Sequence, residues 1–132
     1  MSWDIFVQDL PPGIRSVAEF PDDFVPRPIG TRSSIVEAIT TVVPDVDFSD
    51  PAWGRIVGPD YSIEVSISAE DPVDSFAFHV RGGDMAVGVI ADILEQLGLQ
   101  AIDPQSESGL FDSTTAADSL RRWRAYRDQV VR

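Results

Sequence analysis

Residues 61 to 81 alternate apolar and polar side chains twice over, and nothing else in the chain narrows the possible folds so far. In "YSIEVSIS", Tyr61, Ile63, Val65 and Ile67 fall on one side, and Ser62, Glu64, Ser66 and Ser68 on the other. In "SFAFHVR", Phe76, Phe78 and Val80 alternate with Ala77, His79 and Arg81. A period of two is the signature of a strand with one buried face. The intervening "AEDPVD" is turn chemistry. The two segments therefore read as an antiparallel hairpin, dry on one side and wet on the other.

A wet-faced sheet needs helices over its dry face, and the remaining sequence supplies them. Asp84 stands where it caps a helix from Met85 to Leu97, with Val87, Ile90, Ala91, Leu94 and Leu97 as its apolar face and Gly98 at its end. Thr31 or Ser33 caps another, running to about Val43, with Ile35, Ala38, Ile39 and Val42 on one side. A last helix starts at Thr114 or Thr115. Its Ala116, Leu120, Trp123 and Val130 form a seam. Strands are expected at Trp3–Leu10, Arg55–Val57 and Leu99–Asp103, with "DVDFSDPAWG" as a turn region.

Residues 11–30 hold five of the ten prolines, so regular structure fails there beyond a turn at Ser16–Phe20. Ile14, Val17, Phe20 and Phe24 are too apolar for a free linker, and the segment reads as an ordered loop over the core. The expectation is one α+β domain spanning residues 1–132. It has an antiparallel or mixed sheet of four to five strands and two or three helices mainly on one face. A ferredoxin-like split βαβ is the related topology.

Charge and composition exclude several functions. The formal net charge is −12, and every basic residue is arginine. Residues 114–132 set five arginines against two aspartates, a local +3, which leaves −15 on residues 1–113. So acidic a body repels phosphate backbones, which argues against nucleic acid. It suits a basic protein partner. The chain has no cysteine, so disulfides and thiolate chemistry are out, in keeping with a reducing cytoplasm. MSWDIFVQDL has neither the charge nor the apolar stretch of a signal peptide, and no run of apolar residues is long enough for a membrane span.

The chain's single histidine, His79, lies on the wet face of its strand. Glu64 or Ser66 of the preceding strand is expected beside it, with Arg81 two residues along. A Ser-His-Glu arrangement can be drawn from these, but an open strand face does not exclude water, and no nucleophile elbow is present. "RGGD" reads as a tight turn and helix cap, because it lacks the lysine and glycine spacing of a phosphate loop. "DVDFSD" brings Asp45, Asp47 and Asp50 together like the opening of a calcium loop, but Asp50 and Ile56 stand where the motif wants glycine and glutamate. The arginines of "LRRWRAYRDQVVR" suit charge balance with the acidic body and the dipole at the end of a helix. No metal site and no cofactor are expected.

"WDIFVQDLPP", "DFSDPAWG" and "FHVRGGD" resemble small uncharacterised bacterial proteins, over most of the chain. The resemblance implies no activity, ligand or catalytic residue. The expected function is a non-catalytic protein-binding module, inhibitor-like or immunity-like toward a basic partner. Its binding residues would be Glu64, His79, Arg81, Asp45, Asp47 and Asp50. The alternative is a small hydrolase or lyase built around His79, Glu64 and Arg81.

Overall fold

The computed structural model describes residues 2–68 and 70–130, without the side chains of residues 117, 118, 127 and 130. The elements run β1 (Trp3–Gln8), α1 (Arg32–Val42), β2 (Asp47–Asp50), β3 (Trp53–Val57), β4 (Tyr61–Ile67), β5 (Ser75–Gly82), α2 (Met85–Leu97), β6 (Ala101–Ile102) and α3 (Ala116–Val130). The strands form one open sheet in the order β2-β3-β4-β5-β1-β6, antiparallel at every junction. The class is α+β, as expected, but six strands replace the four to five anticipated. The extra strand is β2. Part of "DVDFSDPAWG" is a hairpin, with Asp47 opposite Arg55 and Asp50 opposite Trp53. Asp50 Oδ1 accepts the Ala52 amide at 2.9 Å, closing the turn around Pro51.

The period-two pattern sorts the faces as read. Trp3, Ile5, Val7, Ile63, Val65, Ile67, Phe76, Phe78 and Val80 are all buried. They meet Ile35 and Ile39 of α1, Ala86, Val87, Ile90, Ile93 and Leu94 of α2, and Leu120 and Trp123 of α3 in one core. Thr31 caps α1, accepting the Ser34 amide at 3.2 Å. Gly98 ends α2 at φ 67°, and the Leu99 amide reaches back to the Leu94 carbonyl. Asp84 precedes α2 but makes no side-chain cap. Its carboxylate instead pairs with Arg124 of α3 at 2.8 Å, which ties the two helices together. In the last helix, Ala116, Leu120 and Trp123 form the buried seam, while the Val130 side chain and Arg132 lie outside the described residues.

The proline-rich loop is fastened at several points. Ser16 caps a short 3-10 turn at Val17–Glu19. The Val17 amide donates to Ser108, that of Arg27 to the Asp9 carboxylate, and those of Ile29 and Val73 bond across to Val73 and Gly30. Gly82, at φ 103°, lies so close to the Asp60 carbonyl that no side chain fits there, which fixes the "RGGD" turn as a glycine position.

Candidate functional site

The outward residues of the sheet line up across the strands. Asp47 of β2 stands opposite Arg55 of β3, Arg55 opposite Glu64 of β4, Glu64 opposite His79 of β5, and His79 opposite Asp4 of β1. Residues directly opposite share a face, so five strands present one ladder in which three carboxylates alternate with Arg55 and His79. The next rung is mostly apolar: Trp53, Ser66, Ala77, Phe6 and Ile102 follow one another from β3 to β6. Trp53 remains 44% exposed and Phe6 40%.

His79 sits where these two rungs meet. Its Nδ1 lies 2.8 Å from Asp4 Oδ1, an oxygen that also accepts the Ser2 hydroxyl at 2.5 Å. Its ring stacks on the Trp53 indole, with centroids 5.9 Å apart and planes 22° from parallel. The sequence places Glu64 beside His79, and the register agrees. The hydrogen bonding does not follow the expected arrangement. Glu64 Oε1 accepts Arg81 Nη1 at 3.2 Å and faces Arg55 at 4.0 Å, while Asp4 takes the histidine. Ser66 is opposite Ala77, so the Ser-His-Glu arrangement is not formed.

Two of the three acids of "DVDFSD" are used locally. Asp47 Oδ1 accepts both the amide and the hydroxyl of Ser49, at 2.8 and 2.5 Å. Those bonds, with the nearby Arg55 guanidinium, hold the Asp47 carboxyl below the ordinary carboxylate value despite its slight desolvation. Asp50 closes the hairpin turn, and Asp45 is exposed in the turn after α1. Among the described residues, no group of three or more potential ligands is placed to hold a metal ion. No helix among them is long and apolar enough to cross a membrane.

The structure thus brings Glu64, His79, Arg81 and Asp47 onto one face and puts Asp50 at its edge, level with Trp53. Asp47 and His79 are three strand spacings apart, about 14 Å, so no small ligand bridges them through direct contacts. Sequence reading missed Asp4, Phe6 and Trp53. A signal for Trp53 was present, because Trp53, Arg55 and Val57 alternate with buried Gly54 and Ile56. Asp4 and Phe6 alternate with buried Trp3, Ile5 and Val7, which places them on the outer face, but no local pattern shows the pairing of Asp4 with His79, 75 residues away.

A 480 Å³ cleft lies elsewhere, between the proline-rich loop, α2 and the segment around residues 108–113. It is walled by Ile14, Leu94, Leu110 and Phe111 among others. Comparison with protein-family models, with curated proteins and with solved structures finds no match to this chain.

Proposed function

We propose that this protein is a binding module that engages a basic protein partner. Contact would be made through the helix-free sheet face and the acidic β2–β3 hairpin beside it. One observation carries the reading: Trp53 is held on a regular strand, stacked on His79, with nearly half its surface open. Aromatic side chains of low conformational freedom are the usual anchors of protein interfaces, with charged residues at the rim. The charge ladder is such a rim, and its ion pairs fix side chains that would otherwise lose rotamer freedom on binding. The net charge of −12 selects a basic partner and speeds the encounter.

The rival reading, a hydrolase or lyase around His79, Glu64 and Arg81, draws support from the 2.8 Å contact of His79 with Asp4, the geometry of an oriented general base. Against it, one ring face is stacked on Trp53, and the surrounding strand face is open. We also read the strand order as a split βαβ whose central hairpin has grown to four strands, in a protein of the reducing cytoplasm.

Affinity capture from a lysate of the source cells, with wild type and a Trp53→Ser, Phe6→Ser double variant side by side, tests the proposal. A basic protein retained by the wild type and lost by the variant is the expected result. Equal retention by both, or turnover of a small ester or amide that disappears in His79→Ala, overturns it.

A further inference from the structure

The 480 Å³ cleft adjoins a second of 340 Å³, and the two share Arg15, Ser108 and Asp112 in their walls. Their characters differ. The first has an apolar wall made by Ile14, Leu94, Leu110 and Phe111. The second is polar, lined by Arg122, Glu107, Thr115 and Ser119 together with the shared residues. Their combined size falls within the range of small-molecule sites.

The backbone around the clefts is anchored at several points. The Val17 amide bonds the Ser108 carbonyl at 2.9 Å. Gly109, at φ 77°, packs against Val17 so closely that an added Cβ would come within 2.6 Å of its methyl carbon. Arg122 Nη1 donates to the Gln105 carbonyl at 3.0 Å, which leaves other guanidinium hydrogens for the cleft. Asp112 Oδ1 accepts the amide and hydroxyl of Thr114 at 2.9 and 2.7 Å, and this bonding holds its carboxyl below the ordinary value. Asp112 therefore stays anionic at neutral and mildly acidic pH.

Two guanidiniums and two carboxylates, Arg15 and Arg122 with Asp112 and Glu107, meet in one polar chamber beside an apolar one. A simple anion suits the arginines but is repelled by the carboxylates and by the field of a −12 protein. A cation has the opposite difficulty with the arginines. A zwitterion does no net work against the overall field, and each of its ends finds a partner of opposite sign. Guanidinium forks match carboxylate geometry. We infer that these two adjoining clefts together bind a free α-amino acid with an apolar side chain. Its carboxylate lies toward Arg15 and Arg122, its ammonium toward Asp112 and Glu107, and its side chain against Leu94, Leu110 and Phe111. This goes beyond the sheet-face proposal and does not depend on it.

Titration calorimetry of the full chain with L-phenylalanine and L-leucine tests the inference. The comparison ligands are 3-phenylpropanoate and phenethylamine, each lacking one of the two charges, and glycine, which lacks the side chain. Saturable binding of the two amino acids is expected, with each comparison ligand weaker by about tenfold or more. Arg15→Gln should weaken L-phenylalanine by about tenfold as well, while Arg27→Gln, elsewhere on the loop, should not. Should Arg15→Gln fail to fold, as judged by its melting curve, Glu107→Gln on the exposed loop serves instead, with the same expected loss. The inference is overturned by the absence of binding at about 10 mM amino acid, which is weaker than functional sites work. It is equally overturned if 3-phenylpropanoate binds as tightly as L-phenylalanine, or if the folded Arg15 or Glu107 variant binds like wild type.

Discussion

Asp103 is fully buried, and its two carboxyl oxygens live differently. Oδ1 accepts the indole N–H of Trp3 and the amide of Gln105, each at 2.9 Å, while Oδ2 meets no partner among the described residues. The residue therefore matters as an acceptor. Asp103→Ala strands the buried indole N–H of Trp3 and removes the acceptor of the Gln105 amide, and should cost about 1–3 kcal/mol in urea unfolding. Asp103→Asn keeps the acceptor and should stay within about 1 kcal/mol of wild type. Similar losses for the two would show that the carboxylate itself is needed. The neighbours Phe78 and His79 make the complementary case, because they sit on opposite faces of β5. Phe78 is completely buried, so Phe78→Ala should lose about 3–5 kcal/mol. His79→Ala gives up one partly exposed contact with Asp4 and a ring stack, and should lose about 1 kcal/mol. Urea melts of both check the assignment of the two faces, and equal losses would reverse it. That assignment was legible in the sequence because alternation is a local property. The partner of His79 was not: Glu64 is its sequence-near neighbour across a hairpin, whereas Asp4 arrives only through the pairing of β1 with β5.

The helices and the β4–β5 hairpin read correctly because each carries its own periodicity over seven or more residues. The β2–β3 hairpin did not. "DFSDPAW" has two aspartates, a serine and a proline, all poor strand formers, and β2 exists because β3 offers it hydrogen bonds. The approach to α3 shows another way that small polar residues act. Asp112 ties down the turn before the helix by accepting from Thr114, and its carbonyl takes the amides of Thr115 and Ala116. A carboxyl whose folded value is depressed stabilises the fold above its unfolded value and loses that contribution as pH falls through the folded one. For Asp112 the loss begins below the ordinary 3.8. Asp112→Asn keeps an acceptor but not the charge. The stability gap between wild type and this variant should be constant from pH 7 to about pH 5 and close as the pH falls further. Urea melts at stepped pH measure it, and a gap that widened on acidification would contradict the assignment.

On the scale of the whole molecule, charge is segregated. Residues 1–113 carry −15 and the C-terminal segment +3, and Arg124 bonds back to Asp84 of the acidic part. The sheet face is nearly balanced by its own arginines, so the acidic field comes from the loops and helices around it. Association with a basic partner should then be governed by the long-range field and be fast only at low salt. The Debye length falls from about 30 Å at 0.01 M salt to about 8 Å at physiological salt, and steering fades over that range. Replacing Asp45, Asp47 and Asp50 with Asn keeps the turn-forming acceptors while removing three charges. It should slow association more than it hastens dissociation. Surface-plasmon kinetics at several salt concentrations, with the captured partner, would show this. An on-rate indifferent to salt would leave the charge with no part in recognition.

The position of β1 also sets an order of events in time. It is made before the other five strands of this sheet, yet its neighbours are β5, beginning at Ser75, and β6, at Ala101. The meander from β2 to β5 joins neighbours in the chain and closes over short loops, whereas β1 waits for its slot. Until then one edge of β5 is bare, and that strand carries Phe76, Phe78 and Val80. During synthesis this stretch is the natural place for a chaperone to bind or for two nascent chains to pair by mistake. The arrival of β1 covers that edge of β5, which makes β1 a late piece of the sheet although it is made before the strands it joins.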